Sequence, residues 1–426
     1  MTQAKDATGP GFEEGLDLPL DEIEGRHLDY KGADIFQRIS HFQLAAQARA
    51  VGLYPFFRPI EVNEGNEAVI DGKRVLMLGS NNYLGLTRHP KVMAAAQAAL
   101  AAYGPSMTGS RLLNGTSPLH EELEERIADF LGAESAIVFS TGYLANLGVI
   151  SSLVDRGCTS VIDKGVHASI YDGGAMAPGD TVRFRHNDPE HLDQVLARLP
   201  DDSGRLVIVD GVYSMGGDIA QLPEIVEICR RRDTRLLVDD AHAIGTVGEL
   251  GRGTASHFGI TEGVDLLIGT FSKSLASVGG FCAGPQNVVE YVKHFGRPMI
   301  FTASLPPASV AAALAALGCL QDEPWRVERV KELGARMRAG LRALGFDIGE
   351  SETPIIPIRI GEEVRTAVFW NDLLENGVYT NAVVVPAVPR GQAMLRTSYI
   401  ATHTDEQLER ALDLFGELGR RHGIIA

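Results

Sequence analysis

Lys273 stands in Gly269-Thr270-Phe271-Ser272-Lys273-Ser274, just past the short apolar run Val264-Asp265-Leu266-Leu267-Ile268. A run of that kind, closed by turn-forming residues, reads as a buried strand. In an open α/β sheet, ligands gather beyond the carboxyl ends of the strands. A lysine placed there carries a pKa that burial can shift, and it can condense with a fixed aldehyde. The hydroxyls of Thr270 and Ser272 beside it can grip a phosphate. By itself the Ser-Lys-Ser tripeptide reads as a surface turn, so its meaning depends on what accompanies it.

Leu236-Leu237-Val238-Asp239-Asp240-Ala241-His242 is a second apolar strand, ending in two carboxylates and a histidine. Lys273 follows Asp239 by 34 residues, about one strand-helix-strand crossover. A buried carboxylate at a strand end can pair with a protonated pyridine nitrogen and keep that ring an electron sink. His242 can then reach the ring's phenolic oxygen. The alternative for Asp239 is a helix N-cap, which leaves the lysine at crossover distance unexplained. A third element is Ala136 to Phe139, a strand leading into Ser140-Thr141-Gly142-Tyr143-Leu144-Ala145-Asn146, whose small residues let backbone N–H groups approach an anion. The fourth, Ser160 to Ser169, is a strand, turn and helix start that presents His167, either as a cap or as a flat ring to stack on a flat cofactor. Phosphate cup, stacking group, pyridinium partner and amine occur together, and pyridoxal 5'-phosphate (PLP) is the cofactor they call for.

Five motifs carry a resemblance beyond this: Gly109 to Thr116, His167 to Gly173, Gly211 to Met215, Val238 to His242 and Gly269 to Ser274. Together they resemble the α-oxoamine synthases, over most of the chain from Tyr54 to His403. The resemblance implies an aspartate-aminotransferase-like α/β fold (fold type I) that condenses an amino acid with an acyl-CoA and loses carbon dioxide. Leu113 to Thr116, Gly269 to Ser274 and Phe301 to Pro307 are similar to the bacterial branch that joins L-serine to palmitoyl-CoA, giving 3-oxosphinganine. Sister enzymes using glycine or alanine, which usually carry Gly-Lys where this chain has Ser272-Lys273, are the alternative reading.

The same resemblance distributes roles. Arg396 is expected to hold the amino acid's carboxylate, a role suited to a planar fork, and Asn82 to lie near that substrate. Thr302 is expected to reach the cofactor phosphate of a neighbouring subunit, which implies a homodimer with shared sites. Thr270 and Ser272, with the backbone at Gly142 and Tyr143, complete the phosphate cup, and Ser214 lies near the phenolic oxygen beside His242. Lys273 removes the Cα proton, Asp239 holds the ring nitrogen, and His167 stacks and hydrogen-bonds the carboxylate. One branch of the family has an arginine in the loop before Arg396, but here Asn381 to Pro389 has none and Arg390 follows the loop. That apolar loop is expected to suit a long acyl chain.

These groups need elements to position them. A loosely ordered N-terminal stretch is expected over residues 1–30, then an amphipathic helix from Ile35 to Ala50. Tyr54 to Pro59 reads most simply as core packing, with a subunit or membrane contact as alternatives. The division expected is an arm and helix over 1–60, a large cofactor-binding domain with a mostly parallel sheet over 61–310, and a smaller α+β domain over 311–426 with strands Ile355 to Ile360 and Met394 to Tyr399.

The net charge of −16 argues against nucleic acid as a partner. With a pI near 5.2, attraction to anionic lipid is not expected to drive the peripheral contact with the inner membrane that a lipid product would suit. Met1 to Glu24 has no basic n-region and apolar core, so a cytoplasmic location is expected. Cys158, Cys229, Cys282 and Cys319 lie too far apart for a metal or disulfide framework and read as buried thiols.

Overall fold

The computed structural model describes residues 32–426 except 40, 41 and 386; the expectation for residues 1–30 lies outside these. A seven-stranded sheet forms the centre, in the order Ser135–Phe139, Gly280–Gly284, Leu266–Thr270, Arg235–Asp239, Gly204–Asp210, Cys158–Asp163, Asp180–Phe184. Gly280–Gly284 runs antiparallel to both neighbours, and the other pairings are parallel. Strands covered on both faces carry continuous apolar runs. Leu236, Leu237 and Val238, and likewise Val207, Ile208 and Val209, are fully buried.

The sheet's carboxyl edge is where the chemistry-bearing motifs surface. Gly142–Leu153 starts there with Thr141 as its N-cap, the hydroxyl accepting from Leu144 N at 3.0 Å. Ala168–Met176 starts there with His167 as its N-cap. Glycine is required where the first of these helix starts meets the sheet: a Cβ on Gly280 would lie 2.5 Å from Gly142 Cα.

A second core lies beneath two smaller sheets. Ile355–Gly361, Ala393–Ser398 and Asn381–Val383 form one antiparallel sheet. The other joins Val62–Asn63, Glu67–Ile70 and Lys73–Met77 to Val378–Tyr379, with Val378 paired in parallel to Leu76. Residues 62–77 therefore pack with the C-terminal strands rather than with the large sheet. The helix Pro307–Asp322, by contrast, buries Val310, Ala313 and Leu317 in the core that contains Phe271 and Phe281.

Three local expectations need correction. The helix from Ile35 to Ala50 is not continuous: a 3-10 turn covers Gln37–Ile39 and the α-helix only Leu44–Ala50. Ile35, Phe36 and Ile39 are exposed, so among the described residues no buried partner rewards the helical periodicity. Tyr54 to Pro59 is not core, because Phe57 is 91% exposed with φ at +54°. Arg58 instead lies over the Trp370 ring and pairs with Asp71 at 3.3 Å. Cys158 is only partly buried, and Cys319 Sγ lies 3.5 Å from His89 Nδ1, a proximity between residues 230 positions apart that the sequence hides. Among the described residues, no helix is long and apolar enough to cross a membrane.

Candidate active site

A cavity of about 270 Å³ opens at the carboxyl edge of the large sheet. Lys273 enters it from a tight loop. Phe271 N donates to Gly279 O at 3.0 Å and Ser277 N to Phe271 O at 2.8 Å, closing the loop at its base. Ser274 Oγ donates to Ile244 O at 2.6 Å, and Ala276 takes a positive φ of +52° to turn the chain back. Burial lowers the Lys273 pKa to about 8, against the opposing pull of Asp239 and Asp210.

Asp239 forms the floor, 6% exposed at the end of its strand. Its Oδ1 accepts from Ala241 N at 2.9 Å and its Oδ2 from Asn146 Nδ2 at 2.7 Å. Asn146 Nδ2 also donates to Ser169 Oγ at 2.9 Å, while its Oδ1 is buried without a partner among the described residues. The adjacent carboxylate serves the fold instead. Asp240, fully buried, accepts from Thr254 N at 2.8 Å and Thr254 Oγ1 at 2.7 Å, and burial raises its pKa to about 7. Asp210 also lines the cavity, and burial, then the charge of Asp239, pushes its carboxyl well above the usual range.

His167 is exposed over the cavity, with its Nδ1 2.8 Å from Ser169 Oγ and its ring edge-on to Tyr143. The Tyr143 hydroxyl donates to Asp172. Burial lowers the His167 pKa, partly offset by Asp239. His242 also lines the cavity, its Nδ1 2.8 Å from Tyr83 Oη. Arg396 Nη2 donates to Tyr83 Oη at 3.3 Å, so the Tyr83 proton is free for His242 Nδ1. That assignment places the remaining His242 proton on Nε2. Burial, then Lys273 and Arg396, holds the His242 pKa well below its usual value, and burial raises that of Tyr83. Both groups are neutral near pH 7.

The anion pole is the start of the helix Gly142–Leu153. The first N–H groups of a helix have no intrahelical acceptor, and its dipole favours negative charge there. A Cβ on Gly142 would lie 3.0 Å from Thr270 Cβ and Oγ1, so the glycine keeps this approach clear. Thr270 Oγ1 donates to Gly279 O at 2.8 Å and sits 2.8 Å from Ser272 Oγ, fixing both hydroxyls at the rim. These features fit a phosphorylated pyridine aldehyde. They provide an anion cradle, a carboxylate at the far end, an amine between them, and an orphaned amide oxygen in the wall.

Eight of the expected residues line this one cavity: Gly142, Tyr143, His167, Asp239, His242, Thr270, Ser272 and Lys273. Four do not. Arg396 is 6% exposed and donates from Nε to Ser214 O at 2.6 Å, so Ser214 contributes its carbonyl to the arginine. Asn82 spends its amide on Thr87, donating to Oγ1 at 2.9 Å and accepting from N at 3.3 Å. Thr302 lies half-buried beside the exposed Phe301. In the loop before Arg396, Val383 and Val388 are buried and pack with Met394, while Val384 and Val385 are part-buried.

Asn146, Ser169, Asp210 and Tyr83 went unassigned from the sequence. The one amide side chain in the Gly142–Leu153 helix was the readable signal for the first. Tyr83 gave none, because its partners His242 and Arg396 are distant in the chain.

Comparison with known proteins agrees with this geometry. The model of the aminotransferase class I and II family matches residues 73–415. Serine palmitoyltransferase of Sphingobacterium spiritivorum is 47% identical over 379 residues, 88% of this chain and 94% of that protein. The 8-amino-7-oxononanoate synthase of Thermoanaerobacter pseudethanolicus is 40% identical over 380 residues, 89% of this chain and 96% of that protein. Among solved structures, a variant of serine palmitoyltransferase from S. paucimobilis with a bound PLP-myriocin aldimine superposes with a TM-score of 0.90 at 40% identity, covering 92% of this chain and 100% of that one. The chain belongs to the aminotransferase class I and II family, with the aspartate-aminotransferase-like fold, and to its α-oxoamine synthase branch.

Proposed function

We propose that this protein is a PLP-dependent serine palmitoyltransferase, joining L-serine to palmitoyl-CoA with release of carbon dioxide and CoA to give 3-oxosphinganine, the first step of sphingolipid synthesis. The carrying observation is that Lys273, the Asn146-bound Asp239, His167 and His242 line a single cavity. Several curated relatives named serine palmitoyltransferase, 42% to 47% identical over most of the chain, support the choice of serine and palmitoyl-CoA.

Bound PLP supplies an aldehyde and a protonated ring that draws electrons from the amino acid's Cα. Asp239, held in line by Asn146, would keep the ring nitrogen protonated. The N–H groups of Gly142 and Tyr143, with the hydroxyls of Thr270 and Ser272, would hold the phosphate. His167 would cover one face of the ring, and His242 would offer its Nε2 proton to the phenolic oxygen. Lys273, with its pKa lowered to about 8, is neutral often enough near neutral pH to take the proton from Cα. Arg396 holds the substrate carboxylate, with its own orientation fixed by Ser214 O and Tyr83. Asn82 shapes the turn beside that substrate through its bonds to Thr87.

Two copies form the working enzyme in this reading, with Thr302 reaching the partner's phosphate. The exposed Phe301 and Leu113 suit such a contact. A peripheral association with the inner membrane would deliver the lipid product, and the cytoplasm is the proposed location.

The test is an amino-acid panel: L-serine, glycine and L-alanine are each supplied with palmitoyl-CoA, and released CoA thiol is followed. Thiol release with serine supports the assignment. Release confined to glycine or alanine moves the enzyme to a sister activity.

A further inference from the structure

Asp163 is a fully buried carboxylate at the end of the Cys158–Asp163 strand, outside the cavity. Its Oδ1 accepts from Gly165 N at 2.5 Å and from His186 Nδ1 at 2.9 Å. Its Oδ2 accepts from Asn187 N at 2.6 Å and Tyr213 Oη at 2.9 Å. His186 Nε2 in turn donates to Asp218 Oδ2 at 3.1 Å, and the imidazole stands edge-on to the Tyr213 ring at 4.4 Å. With a carboxylate on each nitrogen, both ring nitrogens are donors and the ring is an imidazolium.

The two carboxylates belong to two different active-site segments. Asp163 begins the turn that ends at His167, and Gly165 packs so closely on His186 that a Cβ there would clash. Asp218 closes the turn in which Tyr213 N donates to Asp218 O at 3.0 Å and Gly217 N to Tyr213 O at 2.9 Å. That turn carries Ser214, whose carbonyl holds Arg396.

We infer that His186 is a positioning residue: by bridging Asp163 and Asp218 it sets the His167 turn and the Ser214 turn in register, and so aligns the stacking ring with the carboxylate-binding arginine. The role rests on the function proposed above. A device of this kind acts on rate through geometry, since displacing a positioned group by about 1 Å can cost about 100-fold.

The test uses the holoenzyme with His186→Asn, too short to bridge both carboxylates, and Asp218→Ala, which cuts the second link together with the longer 3.5 Å bond from Asn187 Nδ2 and leaves Asp163 its partners. Hydrogen exchange and steady-state kinetics are read together. His186→Asn is expected to speed exchange in residues 164–168 and 211–218, to lower kcat and to raise the serine KM by about fivefold or more. Asp218→Ala is expected to speed exchange in 211–218 alone and to raise KM with little change in kcat. Wild-type KM and kcat in both variants, whether exchange is unchanged or uniformly faster, would overturn the inference. Should His186→Asn fail to fold, Asp218→Ala decides alone. Should the wild type ignore serine, the function falls, and the segmental exchange pattern still judges the bridge.

Discussion

Asn146 Nδ2 lies 2.7 Å from Asp239 Oδ2, joining the first turns of the 142–153 helix to the end of the 235–239 strand. The phosphate end and the ring-nitrogen end of the cavity are therefore set by one helix. Asn146→Leu keeps the volume and removes the donor. The loss of a hydrogen bond to a charged group costs about 1.5–3 kcal/mol, so PLP affinity is expected to fall about 10- to 100-fold, measured by absorbance titration. Unchanged affinity would show that the bond is incidental.

Gly142→Ala tests the anion cradle. Its Cβ would press on Thr270 at 3.0 Å, tighter than ordinary van der Waals contact. Thr270 cannot yield freely, because its hydroxyl is tied to Gly279 O. Weaker retention of PLP and of inorganic phosphate is expected, together with a lowered melting temperature from the same contact.

Tyr83→Phe removes the hydroxyl between Arg396 and His242 and leaves both with a buried unmet group, a cost of about 1–3 kcal/mol. The serine KM is expected to rise, since among the described residues Arg396 keeps only its anchor at Ser214 O. An unchanged KM would assign Tyr83 to packing alone.

His186 carries a stability signature in pH. Hydrogen bonds to Asp163 and Asp218 raise its pKa from 6.5 to about 10, against the penalty of burial. A folded-state pKa above the unfolded one contributes stability that is full below about pH 6.5 and lost as pH rises toward about 10. The melting-temperature gap between wild type and His186→Asn should therefore narrow across that interval. The ring is 44% exposed, so solvent screening trims its size.

Much of the cavity was legible in the sequence because each of its strand-end motifs is local. Asp239, Lys273, His167 and Gly142 each follow an apolar run whose end is marked by small or polar residues, and the parallel sheet brings those ends to one edge. Contacts made across the chain were not legible. Arg396, Tyr83 and His242 meet over hundreds of residues, and the pairing of Lys73–Met77 with Val378–Tyr379 left no periodic trace. The 35–50 segment misled in the opposite direction, since its apolar spacing resembles a helix while nothing among the described residues buries Ile35 or Phe36.

The most direct measurement is borohydride reduction of the PLP-loaded protein followed by peptide mapping. Reduction fixes PLP to whichever lysine holds it. Label is expected on the peptide containing Lys273, and Lys273→Ala is expected to abolish both that label and serine-dependent thiol release. Label on another lysine, or turnover that survives the substitution, would contradict the assignment of Lys273.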